Sequence, residues 1–381
     1  MSQRADAPSR RLIHIRELDG LRGLAAIMVF FHHVCFTSIT PAGWGAGVLL
    51  LYRASVWGRT GVDLFFVLSG FLITSLLIEA RPDTSYYHDF YWKRALRILP
   101  LYTVCLLAVL LLYPDSRGYV LLSALFISNF SSVLHVASNG PFWTLAIEEQ
   151  FYLLWPTVVR RRSIAQIRNW AVCVGMGAVL LRLLAASFGH YNYYLTFLRC
   201  DGLAVGAFLA CHYKSTHPES TTPSRETGII LLGIVAGTAL CLVGLVPAIG
   251  LRAMAFTAAG EQTGTTLLYG SIVAFLIRYA GARGLALLRS KLLTFFGLIS
   301  YAMYMMHLYV LWQYDQLRGP LAAGDIQAYL IRFAAVLGIT VALCIASRYL
   351  IELPAISLRR FVLARPAPSD PTEPPIPLGK M

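Results

Sequence analysis

Apolar residues in this chain gather into long, nearly unbroken runs, not into the alternation of a half-buried strand or the one-sided stripe of a surface helix. The runs cover approximately 18–40, 61–79, 95–113, 169–188, 195–212, 228–247, 263–281, 292–313 and 327–351. Each is close to the roughly 20 apolar residues that carry a helix across a bilayer. The pattern therefore predicts an all-α, polytopic integral membrane protein.

The stretch 118–160 is weaker. It holds two apolar segments, 118–135 and 142–159, parted by Ser138-Asn139-Gly140-Pro141. If both crossed, Arg160, Arg161, Arg162 and Arg168 would lie opposite the basic N-terminus. If together they make one net crossing, 23 of the 32 Lys and Arg fall on the N-terminal side. Cytoplasmic loops concentrate such residues, so the second arrangement is expected. It gives about ten transmembrane helices, both termini cytoplasmic, and one broken or re-entrant segment near 118–159. Irregular backbone at membrane depth survives only when buried in protein or lining a wet cavity, which points the break toward a functional interior.

The expected organisation is a basic cytoplasmic N-terminus at 1–17, a transmembrane domain at 18–360 and a disordered Pro-rich cytoplasmic tail at 361–381. The first apolar run is too long for a signal-peptide core and contains Arg22, His32 and His33, so no cleaved leader is expected. Internal repeats are not evident, which weakens a transporter built from inverted halves.

Composition agrees. Hydrophobic residues make up 57% and charged residues 13%, where a soluble domain carries about 25% charged. The net charge of +13 would suggest nucleic acid in a soluble chain; here one-sided loops account for it, and no nucleic-acid partner is expected. The seven cysteines (Cys35, Cys105, Cys173, Cys200, Cys211, Cys241, Cys344) form no CxxC pair and read as small buried hydrophobes. No zinc-ligand spacing is present, so no metal is expected.

Charged groups inside spans are costly, and each demands a reason. Arg22 and His33 are eleven residues apart, which places both on one helical face, roughly 16 Å apart along the axis. Arg22 is expected near the cytoplasmic surface and His33 near the membrane middle, with His32 about 100° away. Arg22 snorkelling to headgroups and structurally bonded histidines are the plain alternatives. Arg94 and Arg97 share a face on a helix entering from the cytoplasm. Two guanidinium forks there suit a phosphate-bearing ligand, and a positive-inside anchor is the competing reading. Glu148 and Glu149 are adjacent in an apolar helix, so at most one can face a shared site fully; a structural carboxylate paired to an embedded arginine is the alternative. Weaker signals are Asp63 and Ser69 in one run, Arg199 and Asp201 in another, and Ser300, Tyr304 and His307 on one face by their spacing. Interhelical hydrogen bonding would explain each of these equally.

Taken together these stretches resemble the membrane-bound acyltransferase-3 family. The similar motifs are Arg22…His33 after Leu-Asp-Gly-Leu, Gly61-Val62-Asp63-Leu64-Phe65-Phe66-Val67-Leu68-Ser69-Gly70, Arg94-x-x-Arg97, and Trp143-Thr144-Leu145-Ala146-Ile147-Glu148-Glu149-Gln150-Phe151-Tyr152. Ser300-Tyr301…Tyr304…His307 and Glu352-Leu353-Pro354 also match, and the likeness runs over about 14–360 in order. Thr144 departs from the family's usual Ser but keeps the hydroxyl. Some members carry a fused extracytoplasmic hydrolase-like domain; a stand-alone membrane type is expected here.

The resemblance implies O-acyl transfer, usually of acetyl from acetyl-CoA, to a hydroxyl of a sugar, lipid-linked glycan or small molecule. It implies His33 as the catalytic histidine, Arg22 as its partner, and Arg94 and Arg97 as the CoA-binding pair. Glu148 is a further catalytic candidate. Asp63, Ser69, Trp143, Glu149, Tyr152, Arg199, Asp201, Tyr304 and His307 are substrate-binding or structural candidates. Imidazole is suited to take the acceptor's proton near neutral pH, and the separation makes Arg22 more a cofactor contact than an oxyanion donor. Acetyl-CoA is then a donor substrate, with no permanently bound cofactor. Expected partners are acyl-CoA, an envelope glycan or exopolysaccharide acceptor, membrane lipids and other envelope-glycan assembly proteins, at the bacterial inner membrane. The competing readings are acylation of a secondary metabolite such as a macrolide, a proton-coupled transporter or flippase relaying through His33, Glu148 and Arg199, and an acyl-ligand sensor without turnover.

Overall fold

The computed structural model describes residues 15–36, 45–138, 140–189, 192–215, 223–243, 250–319, 321 and 325–362. Among these the regular structure is helical throughout. In chain order the helices are α1 (Arg16–Phe36), α2 (Ala46–Val56), α3 (Gly61–Glu79), α4 (Tyr86–Leu112), α5 (Arg117–Ala124), α6 (Phe142–Arg161), α7 (Ile164–Ser187) and α8 (Thr196–Arg199). They continue with α9 (Asp201–Ser215), α10 (Pro223–Val243), α11 (Leu251–Arg278), α12 (Lys291–Arg318), α13 (Ile326–Ser347), α14 (Leu353–Ser357) and α15 (Arg359–Val362).

Seven of the described helical stretches are long and apolar enough to cross a membrane, or eight if α11 and the 3-10 turn Arg283–Arg289, bent by 111°, count as one broken span. The expected ten is not reached by this measure. In α6 the polar run Glu148-Glu149-Gln150 dilutes the apolar content. The run 195–212 is divided between α8 and the 15-residue α9, which at 1.5 Å per residue is only about 22 Å long. The broken region near 118–159 has an uneven form. Its first half is the 8-residue α5 and a 3-10 turn at Ser128–Phe130, while its second half, α6, has 20 residues and is about 30 Å long. Positive φ of 129° at Gly140 turns the chain into α6, and a Cβ there would collide with the Tyr309 hydroxyl. Of the expected N-terminal segment, residues 15–17 are described and residues 1–14 lie outside the described set. Helix α15 reaches Val362, and the rest of the Pro-rich tail lies outside it too.

Helix α1 is shared by the two largest apolar clusters. Phe30 and Val34 join α4, α6 and α12 in one, and Leu18 and Leu21 join α3, α9 and α11 in the other. Small residues bring these helices into backbone contact, as apolar surroundings favour. Gly23 lies against the Leu293 carbonyl and Gly297 against that of Asp19, closing α1 on α12. Gly70 and Gly206 seat α3 on α9 in the same way, against Leu203 and Val67. Meanwhile Leu111, Leu184, Leu232 and Val235 point outward, as lipid-facing positions would.

Three of the arginines inside spans are paired with carboxylates. Arg182 meets Asp201 at 2.7 Å and Arg199 meets Asp63 at 2.9 Å. Arg332 grips Asp315 with two donors and also donates to the Val34 carbonyl at 3.0 Å. That last bond satisfies a carbonyl in the final turn of α1, which has no intrahelical partner to receive. Five cysteines are buried as expected, whereas Cys173 is exposed and Cys200 intermediate.

Candidate functional site

The face of α1 carrying Arg22 and His33 packs along the face of α12 carrying Ser300, Tyr304 and His307. Arg22 Nη2 lies 3.5 Å from Ser300 Oγ, and His33 Nδ1 lies 2.9 Å from His307 Nε2. The helical spacing on both elements therefore resolves into real contacts. His33 stands in the last turn of α1 as described.

Two cavities flank this seam. The first, of 390 Å³, is lined by Arg22, Arg94, Arg97, Asp19, Glu148 and Ser69, with Tyr152 and Tyr301. Arg94 stacks over the Tyr152 ring, 4.6 Å from its centre. The Tyr152 hydroxyl donates to Glu148 Oε2 at 3.2 Å and accepts from Ser69. Three cations and two carboxylates thus share one chamber with an apolar floor of Leu68, Leu72 and Leu76. Such a chamber suits a ligand with phosphates at one end and an aliphatic arm.

The second cavity, of 520 Å³, is lined by His32, His33, Arg59, Asp63, Trp143, Tyr193, Tyr194, Arg199 and Glu261 among others. Arg199 sits 4.1 Å from the centre of the Tyr193 ring and 5.7 Å from that of Trp143. Arg59 donates to both oxygens of Glu261. Trp143, Tyr193 and Tyr194 meet edge to face, with centroids 5.0–5.6 Å apart. His32 Nδ1 donates to the Ser55 carbonyl at 2.9 Å.

Val62 and Tyr304 line both cavities and form the wall between them. The Tyr304 hydroxyl lies 2.9 Å from Thr144 Oγ1, which itself reaches the Pro141 carbonyl at 3.1 Å. The hydroxyl at position 144, whether Ser or Thr, is therefore a link in this wall.

Of the sequence-derived candidates, Glu148 faces the first cavity and Glu149 lines neither; Glu149 Oε1 is buried without a hydrogen-bond partner among the described residues. Asp201 also lines neither, being engaged by Arg182 and by Thr266 at 2.9 Å. Sequence reasoning passed over Arg59, Tyr193, Tyr194 and Glu261. The Tyr191-Asn192-Tyr193-Tyr194 cluster shortly before Arg199 is the signal that was available. Gln150 holds this corner together: its amide donates to the Phe126 carbonyl at 2.8 Å and to Asn129 Oδ1 at 3.0 Å, and its oxygen accepts from Thr196 on α8.

A family model described as an acyltransferase domain matches residues 15–349. The chain is similar to the Bacillus subtilis (strain 168) protein named "Putative peptidoglycan O-acetyltransferase YrhL", at 32% identity over 228 residues, covering 52% of this chain and 33% of that protein. It is similar to the peptidoglycan O-acetyltransferase OatA of Listeria monocytogenes at 28% identity over 261 residues, covering 60% of this chain and 39% of that protein. A Staphylococcus aureus (strain COL) protein, "Putative O-acetyltransferase SACOL0978", matches at 27% over 231 residues, 53% of this chain and 35% of that one. The matched stretch thus spans between about a third and two fifths of each relative. No solved structure matches.

Proposed function

Because the chain belongs to the acyltransferase-3 family of membrane proteins, we propose that it moves an acyl group, acetyl in the first instance, from acyl-CoA in the first cavity to a hydroxyl of an envelope glycan in the second. Family membership sets aside the transporter and sensor readings. The observation that carries the proposal is the pair of cavities meeting at Tyr304 and Val62, one holding three arginines and the other His33. Arg94 and Arg97 take the CoA phosphates as charge-assisted bonds, Arg22 lies deeper toward the reacting end, and the pantetheine arm lies on the apolar floor. Glu148 acts through Tyr152 and Arg94, setting the charge of the chamber.

At the wall, His33 takes the proton of the acceptor hydroxyl as its oxygen attacks the thioester carbonyl, and the proton passes to the departing thiolate. The aromatic rings of Trp143, Tyr193 and Tyr194 offer flat apolar faces, and the Arg59–Glu261 and Arg199–Asp63 pairs offer donors and acceptors, as a sugar acceptor requires. The relatives' names favour a cell-wall glycan over a secondary metabolite as acceptor, with exopolysaccharide in the same chemical class. The arginine-lined chamber would open to the cytoplasm, where acyl-CoA is made, at the bacterial inner membrane.

The test is His33→Ala. Purified protein in lipid discs should consume labelled acetyl-CoA in the presence of a chitin oligomer or membrane glycan extract, and the variant should insert normally while losing transfer by at least 10²-fold, the usual range of a general base. Full activity in the variant would remove the mechanism.

A further inference from the structure

The relation of His33 to His307 goes further than proximity, because the surrounding carbonyls decide where the protons are. His307 Nδ1 lies 2.9 Å from the carbonyl oxygens of both Met303 and Tyr304. A carbonyl can only accept, so Nδ1 carries the hydrogen, and in the neutral ring Nε2 carries the lone pair. That Nε2 lies 2.9 Å from His33 Nδ1. His33 Nδ1 in turn lies 3.0 Å from the Val29 carbonyl. Two acceptors therefore face His33 Nδ1, and both require its hydrogen there. The neutral His33 ring is left with its lone pair on Nε2.

We infer that His307 is a positioning residue for the acyl transfer, holding His33 in the Nδ1–H tautomer and receiving part of the charge when His33 Nε2 takes the acceptor proton. The inference rests on the function proposed above. The reaction balances without an added reagent. The hydroxyl oxygen bonds to the thioester carbon as His33 Nε2 takes its proton. The carbon–sulfur bond then breaks, and the sulfur receives that proton from Nε2, so CoA leaves as the thiol and both imidazoles return to neutral. While His33 is an imidazolium, its Nδ1–H points at a nitrogen lone pair in place of the carboxylate that orients histidine in hydrolase triads. A neutral partner has one advantage at this depth. It adds no charge to the bundle in the resting enzyme, and isolated charges there are costly.

The fold makes this pair durable. His307 is 1% exposed, with the rings of Phe30 and Tyr304 at 6.2 and 6.0 Å. His33 is fixed from the other side by the end of α1, where Arg332 binds the Val34 carbonyl. One turn of α12 supplies both the wall residue Tyr304 and, three residues on, the partner of the base. The two functions share one rigid element.

Two measurements test the inference on the full chain in lipid discs. Nitrogen-15 spectra of histidine-labelled wild type should show both rings as Nδ1–H tautomers, although free imidazoles in water favour the other form; an Nε2–H tautomer at either ring overturns the inference, whatever the turnover. Steady-state assays with acetyl-CoA and a chitin oligomer give the second readout. His307→Phe, which keeps the bulk and loses the lone pair, should lower kcat by about 10²-fold while the KM for acetyl-CoA changes less than threefold. His307→Gln, whose amide oxygen can accept from His33 Nδ1, should recover at least tenfold of that loss. Equal impairment of the two variants, or a kcat for His307→Phe within twofold of wild type, overturns the inference. If the wild type consumes no acetyl-CoA, the proposed function fails instead, and the tautomers still report on the pair.

Discussion

The Tyr304 hydroxyl lies 2.9 Å from Thr144 Oγ1, joining α12 to α6 where the two cavities meet. Val62 completes the partition from α3. If the donor thioester lies in the first cavity as proposed, a wall beside it has a chemical purpose, since closing a site against water prevents hydrolysis of a reactive donor.

Removing the ring should therefore uncouple the reaction. Tyr304→Ala is expected to raise acceptor-independent release of CoA thiol several-fold and to lower transfer to glycan, measured with a thiol-reactive dye and a labelled acetyl group in parallel. Tyr304→Phe keeps the ring and loses only the bond to Thr144, worth about 1 kcal/mol; its thiol release should stay near wild type. Unchanged release in Tyr304→Ala would show that the wall does not exclude water from the donor.

Arg94 and Arg97 sit on one face of α4 and both reach the first cavity. Hydrogen bonds to charged groups contribute about 1.5–3 kcal/mol each, so Arg94→Ala with Arg97→Ala should weaken acetyl-CoA binding by about 10²-fold or more. The control is dephospho-CoA, whose binding should be less affected by the pair. Equal affinity of wild type and double variant in a titration would reduce both residues to membrane-side anchors.

The Asp63–Arg199 pair is almost fully enclosed, with side chains 6% and 0% exposed. Removing one partner of a buried pair leaves an uncompensated charge, at a cost of about 3–5 kcal/mol. Asp63→Ala should accordingly lower the thermal midpoint in detergent sharply, and Asp63→Ala combined with Arg199→Leu should recover much of the loss. Additive losses in the double variant would mean that the two side chains do not depend on one another.

For orientation, a reporter fused after Lys380 should report the cytoplasm, as should one before Arg10. Opposite signals would require an odd number of crossings and would turn one cavity's assignment around.

The membrane character of the chain, its broken segment before α6 and the shared faces Arg22/His33 and Ser300/Tyr304/His307 were all legible in sequence. Hydrophobic run length and helical period are local properties, and local properties survive translation into structure. The crossing count was less legible. Short helices such as α9 and polar ones such as α6 are held by packing and buried ion pairs, which run length does not register. Glu148 and Glu149 show the same division: adjacency dictates that they point apart, and only the packing of α6 decides that Glu148 faces the first cavity. Sequence also cannot bring together residues far apart in the chain. His33 and His307 are 274 positions apart, and Arg59 meets Glu261 across 202.

By itself the sequence determined the all-helical membrane class, the family and most of the polar residues that line the two cavities, because each depends on residue type and short spacing. The tertiary structure decided that those residues form two chambers and not one, that Tyr304 and Val62 divide them, and that His33 Nδ1 meets His307 Nε2. Those facts arise from glycine-mediated contact between α1 and α12 and from carbonyl groups aimed by helix backbones, and neither is set until the helices have packed.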